Sequence, residues 1–187
     1  RETPIELQRN ENAIATDFVY KSFEITEGSL PMVSGLPQAK KAVQTLVITM
    51  ENPGGLRLLL IYSLFADAVT RRVMLKNASD TAIAVHKLMS FALDLPGSFE
   101  MTTFDGGWIA EMRKHTVPVL ENRVVNESTT GASSNRHNPG FLLSEPDATE
   151  DAGWVYGFNL IYSGNPYASA QQSLQSFTRV MQGVSPD

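Results

Sequence analysis

The side chains best suited to act on a ligand gather in two stretches: Asp105-Gly-Gly-Trp108 with Glu111 and Arg113, and Gly131-Ala-Ser-Ser-Asn-Arg-His-Asn-Pro139. An exposed Trp108 beside glycines would stack on a sugar ring or anchor a protein interface. Arg136, His137 and Asn138 would hydrogen-bond hydroxyls or backbone groups. The same residues also admit a structural explanation, with Trp108 in the core and Asn138-Pro139 closing a loop. Residue type and spacing leave both open.

Other chemistry finds little support. The three histidines, His86, His115 and His137, are isolated and lack metal-ligand spacing, and there is no cysteine, so no metal site is expected. Ser133-Ser134 follows Gly131 outside any nucleophile elbow, and the glycines form neither a P-loop nor a dinucleotide fingerprint, so no cofactor is expected. Among the 20 carboxylates, Asp67, Asp94 and Asp105 lie near predicted strand ends and read as turn formers, while Glu145-Pro-Asp147 and Glu150-Asp151 read as a solvated connection. No catalytic residue is assigned.

A formal net charge of −5 disfavours a nucleic-acid partner, because phosphate binding needs a concentrated basic surface. The longest apolar run, Leu58 to Tyr62, falls far short of the roughly 20 residues that span a bilayer, so no membrane partner is expected. The absence of cysteine fits a reducing, cytoplasmic compartment. Asn77-Ala-Ser79 and Asn126-Glu-Ser128 match the glycosylation acceptor pattern, which is frequent by chance. The chain opens at Arg1 with no initiator Met or leader and reads as an excised piece.

The elements that must position these residues read as strands. Thr45 to Thr49 runs into the turn Asn52-Pro53-Gly54-Gly55, and Leu56 to Phe65 returns as a hairpin partner with Leu56, Leu58, Leu60, Tyr62 and Leu64 on one face. Val69 to Lys76 follows as a half-exposed strand, and Asn77 to Asp80 turns the chain. Thr81 to Leu95 fits a period of two through Ile83, Val85, Lys87, Met89 and Phe91. Phe99 leads an extended run into Asp105, Asn126 to Pro139 reads as a long exposed loop, and Gly153 to Tyr162 as a strand. Helical spacing occurs only in Ala170 to Met181, through Leu174, Phe177 and Met181, where alternate-residue spacing fits as well. No repeat, linker or charge block marks a second domain. The pattern predicts an all-β antiparallel sandwich.

In order and spacing, Thr16-Asp-Phe-Val-Tyr20, Gly35-Leu-Pro37, Leu93-Asp-Leu-Pro96, Gly107-Trp108, Gly131-Ala-Ser-Ser134 and His137-Asn-Pro139 resemble the N-terminal domain of family 36 glycoside hydrolases, chiefly microbial α-galactosidases. Tyr156-Gly-Phe158, Tyr162-Ser-Gly-Asn165 and Arg179-x-x-x-Gly183-Val-x-Pro186 extend the resemblance. The chain departs from the family's usual pattern at three loop positions. Ala110-Glu111-Met112 stands where Arg-Glu-Arg is usual, Asn135 where His is usual, and Gly140 precedes Phe141 where an aromatic directly follows Asn-Pro.

The resemblance implies a large, galactose-mutarotase-like β-supersandwich packed on a catalytic (β/α)₈ barrel that carries two aspartates and hydrolyses terminal α-galactosides with retention. On that basis residues 1–187 are a non-catalytic domain fragment, incomplete at its N-terminal edge and lacking the barrel. Its expected partners are the parent's own barrel, a further copy in a homo-oligomer and, for the parent, an α-galactoside. Trp108, Arg113, Arg136, His137 and Asn138 are then the ligand or interface candidates. Alternatives are a carbohydrate-binding module, or the same domain of a raffinose-synthase-like galactosyltransferase. A sandwich cut from its parent is also expected to expose a sheet edge or an apolar patch.

Overall fold

Strands account for every regular element among the described residues of the computed structural model, 2–132 and 136–185. Arg1, Ser133, Ser134, Asn135, Pro186 and Asp187 lie outside the described residues, and with them the paired serines, the Asn135 departure and the final proline of the motifs above. The sheets are antiparallel, and the chain groups into two compact units, Arg1–Phe91 and Ala92–Asp187.

The first unit holds a four-stranded sheet whose order follows the sequence: β3 (Val19–Glu27), β4 (Gln44–Glu51), β5 (Leu56–Leu64) and β6 (Val69–Asn77). The predicted hairpin is set by Asn52, whose side-chain oxygen accepts the Gly54 and Leu56 amides at 2.9 and 3.2 Å. Gly55 closes this turn at φ +79°, a conformation glycine adopts without strain. The expected apolar face of β5 holds only at its start. Leu56 and Leu58 are 1% and 4% exposed, but burial then crosses to Ile61 at 4%, while Leu64 is 48% exposed. The run Leu58 to Ile61 is apolar on both faces, so either face can be covered.

A second group in this unit pairs β2 (Asn12–Ala13) with β1 (Ile5–Arg9) and β1 with the first half of β7 (Ala84–Pro96). Asn10 and Glu11, at φ 48° and 64°, form the two-residue β1–β2 turn, whose positive φ values match strand twist. Lys87 falls on the period-two face predicted for β7 and is buried at 8% exposure, paired with Glu2 and 3.6 Å from Glu6.

An exposed edge is present as expected. Strand β3 lies at the end of its sheet with Val19, Tyr20, Phe23 and Ile25 all more than half exposed. A register shift between Tyr20 and Ser22, and the charges of Lys21, Glu24 and Glu27, interrupt its pairing edge.

The second unit is a two-sheet sandwich. One sheet runs β12 (Val155–Asn159), β11 (His137–Ser144), β8 (Glu100–Asp105), β9 (Arg113–Pro118). The other runs β10 (Val124–Glu127), β13 (Pro166–Gln172), β14 (Phe177–Val184) and the end of β7. Met101, Phe141, Leu143, Ala170 and Val180 are each no more than 1% exposed and fill it.

One open reading is decided and one expectation corrected here. Of the two spacings that Ala170 to Met181 admits, the alternate-residue one holds: the segment forms part of the β13–β14 hairpin, in which Ala170 pairs with Val180 and Ser173 N donates to Phe177 O at 2.7 Å. Leu174 is 89% exposed in the turn and Met181 is 2% exposed, so the apolar positions that matched helical spacing share no face. Nor is Asn126 to Pro139 one exposed loop, because strands claim both ends, and Asn126 and Ser128 are 4% and 2% exposed. Polar residues enter the interior here because backbone carbonyls accept their hydrogen bonds.

Candidate functional site

At one end of the second unit, strand pairing joins the two stretches singled out in the sequence. Strand β8 lies between β11 and β9, so Asp105 is registered with His137 on one side and Arg113 on the other. His137 Nδ1 lies 3.2 Å from Asp105 Oδ1, and Thr103 Oγ1 donates to Asp105 Oδ2 at 3.0 Å. These contacts orient the imidazole and occupy the carboxylate. Asp105 ends its strand as expected, but it serves as a hub between strands as well as leading into a turn.

The β8–β9 loop rises from this base. Gly106 N donates to Arg136 O at 3.1 Å, and the Asn138 side-chain amide donates to Met112 Sδ at 3.2 Å. Mutual hydrogen bonds between Gly107 and Ala110 form a tight turn around Trp108 and Ile109. A Cβ at Gly106 would run into the Ala110 carbonyl oxygen, which explains the glycine. Ile109 and Met112 take positive φ values of 68° and 56°, costing on the order of 1 kcal/mol or more each, strain that clusters at contact sites.

The result is an apolar tip on a polar base. Trp108 is 84% exposed, Ile109 82% and Met112 57%, so Trp108 is not a core residue and that alternative is excluded. Arg113, Arg136 and His137 are exposed below it, and Asn138 is partly buried. Of the five residues proposed from the sequence, Trp108 lies in the hairpin loop, Arg113, His137 and Asn138 at the strand ends beneath it, and Arg136 just before β11. No group of three or more metal-ligating side chains occurs among the described residues.

Two residues behind the site were not singled out from the sequence. Asn126 and Gln182 donate from the facing sheet to the Asn138 and Pro139 carbonyls at 2.8 and 2.5 Å. The available signal was a lone amide in the apolar run Val180-Met181-Gln182-Gly183-Val184. The Asn126 side-chain amide is buried and engaged, so Asn126-Glu-Ser128 presents no glycosylation acceptor in the folded chain.

Several recurring motifs have structural roles in this unit. Asp94 does not form a turn: it lies in β7 and receives two hydrogen bonds of 2.7 Å from Arg179, which push the arginine above its ordinary pKa. Phe158 stacks on Phe141 with ring centroids 4.9 Å apart, and Tyr156 meets Phe99 edge-on at 5.9 Å. Asn165 Oδ1 accepts the Gly131 amide at 2.6 Å.

This architecture is that of an N-terminal β-sandwich domain of glycoside hydrolases. Over residues 1–187 the chain matches the Glycosyl hydrolase family 36 N-terminal domain, and it belongs to that family. It is 36% identical over 178 residues to Alpha-galactosidase 2 of Hypocrea jecorina, covering 91% of this chain and 24% of the relative. It is 31% identical to Alpha-galactosidase C of Emericella nidulans, covering 98% of this chain and 25% of that one. Among solved structures it is similar to the galactosidase domain of the α-galactosidase–sucrose kinase AgaSK, with a TM-score of 0.95 and 28% identity over 100% of this chain and 27% of that one. The family 36 α-galactosidase AgaB from Geobacillus stearothermophilus gives a TM-score of 0.93 at 28% identity, with the same coverage. The chain therefore spans about a quarter of the length of the relatives it matches. No helix among the described residues is long and apolar enough to cross a membrane.

Proposed function

We propose that the chain is the non-catalytic N-terminal domain of a retaining α-galactosidase that hydrolyses terminal α-galactosides of the melibiose or raffinose type. Its role is scaffolding, and the Trp108 tip meets the parent's own barrel or a second subunit of a homo-oligomer. Residues 1–187 act as one part of that protein, with the catalytic barrel elsewhere in it. The absence of cysteine supports a cytoplasmic setting.

The family match carries the enzyme assignment, and the observation that carries the contact role is the cluster Trp108, Ile109 and Met112, which turns a large apolar area outward on a strained, hydrogen-bonded loop. Exposed aromatic and Met side chains above a polar rim suit a protein contact, where buried Trp anchors commonly cost 2 kcal/mol or more, roughly thirtyfold in affinity, on truncation. Trp108→Ala in the full-length protein is accordingly expected to weaken subunit association, read by sedimentation velocity, or to split off a separate unfolding transition for this domain. The domain's own stability should change by no more than about 0.5 kcal/mol, because the side chain is exposed. Unchanged association and a single unchanged transition would refute the contact.

A carbohydrate-binding role is favoured by the same exposed ring on a loop whose flanking strands carry Arg113, His137 and Asn138. Calorimetric titration with galactose and raffinose separates the two. Millimolar binding that Trp108→Ala abolishes would favour the sugar, and no heat at millimolar sugar leaves the protein contact.

A further inference from the structure

We infer that Asn126 and Gln182 are positioning residues, a pair of buried amides that hold the His137–Pro139 segment in the shape the contact site requires; this rests on the proposal that the Trp108 end is a contact site. Strand β11 departs from regular pairing just where the site is built. Against β8, His137 pairs with Asp105 and Phe141 with Thr103, so four steps along β11 oppose two along β8, 141 − 137 against 105 − 103. This bulge takes Asn138, Pro139 and Gly140 out of the β8 ladder. Pro139 has no N–H to donate, and the carbonyls of 138 and 139 need other donors.

The facing sheet supplies them from one row. Asn126 pairs with Ala168, and Ala168 with Gln182, so the two amides flank a small residue that is 2% exposed. The short side chain between them leaves room for the β11 backbone to approach. Asn126 Nδ2 then reaches Asn138 O and Gln182 Nε2 reaches Pro139 O. The segment so held passes its geometry on: Arg136 O accepts Gly106 N, Asn138 Oδ1 accepts Gly140 N, and Asn138 Nδ2 reaches Met112.

Stability alone explains this poorly. Asn126 Oδ1 is buried and accepts no hydrogen bond among the described residues. Leaving such an acceptor unsatisfied is destabilising, a cost that an apolar side chain would avoid. A donor aimed at a bulged carbonyl is what the amide supplies and an apolar side chain lacks.

The test uses the full-length protein. Asn126→Asp replaces the donor with oxygen, and Gln182→Met removes it at similar volume, so the second variant carries the test if the first does not fold. Thr178→Val is the control: Thr178 is fully buried in the same strand as Gln182, but its hydroxyl donates to Gly97 O at 2.9 Å, away from the site. Hydrogen exchange at the Gly106 and Gly140 amides is expected to speed up about tenfold in Asn126→Asp and Gln182→Met but not in Thr178→Val, with unfolding midpoints compared in parallel. Subunit association or domain docking should weaken alongside. Equal acceleration in all three variants, or none in the first two, would overturn positioning. Selective acceleration with no effect of Trp108→Ala on association or docking would keep the positioning role and remove the contact-site reading instead.

Discussion

Phe141→Ala is expected to lower the unfolding free energy of the chain by about 3–5 kcal/mol. Phe141 is 1% exposed, stacks on Phe158 and follows the bulge that shapes the site. Removing the ring forfeits its transfer energy and leaves a cavity beside Leu143 and Met101, both fully buried. Paired strands surround the position, with Thr103 and Phe158 registered against it, so collapse around the gap is restricted. A small domain is stable by roughly 5–15 kcal/mol, so the variant would be marginal at 37 °C. Urea titration followed by far-ultraviolet dichroism measures the change. A loss under about 1 kcal/mol would mean that the two sheets of the second unit do not pack as described.

Lys87→Met is expected to cost about 3–5 kcal/mol, because it removes one partner of a buried ion pair. The Lys87 and Glu2 side chains are 8% and 7% exposed, whereas Glu6, 3.6 Å away, is 53% exposed and contributes little. The Glu2 carboxylate would lose its ammonium partner in a poorly solvated position. Combining Glu2→Gln with Lys87→Met should restore most of the loss, since a neutral pair has no charge to desolvate. Denaturant midpoints of the wild type, both single variants and the double variant complete the cycle. Additive losses would show that the two side chains are not energetically coupled.

These two positions also show what could be read from the sequence and what could not. Lys87 falls in the period-two series read for this strand together with buried Met89, although Val85 in the same series is half exposed, so the period is legible and the burial of the charge is not. The Asn52 turn and the strands beside it were equally readable, because alternation and turn chemistry are local. Residues 170–181 admit two spacings because their few apolar side chains belong to two strands and the turn between them, and only pairing of Ala170 with Val180 decides the matter. Asn126 reads as loop in the sequence because polar side chains ordinarily mark solvent.

The site was half visible. Trp108, Arg113, Arg136, His137 and Asn138 were identifiable by type, since Trp beside glycines and a run of hydrogen-bonding side chains stand out in composition. Their convergence was not, because it depends on Asp105 lying between two strands distant in sequence. The supporting amides Asn126 and Gln182 became evident only once the row through Ala168 was known.

The most direct test of the central proposal compares the purified 187-residue chain with its full-length parent on a chromogenic α-galactoside. The parent should turn over substrate, and the isolated chain should give no rate above the buffer blank. Turnover by the isolated chain, or a parent inactive on every terminal α-galactoside, would contradict the assignment of this domain as the non-catalytic part of an α-galactosidase.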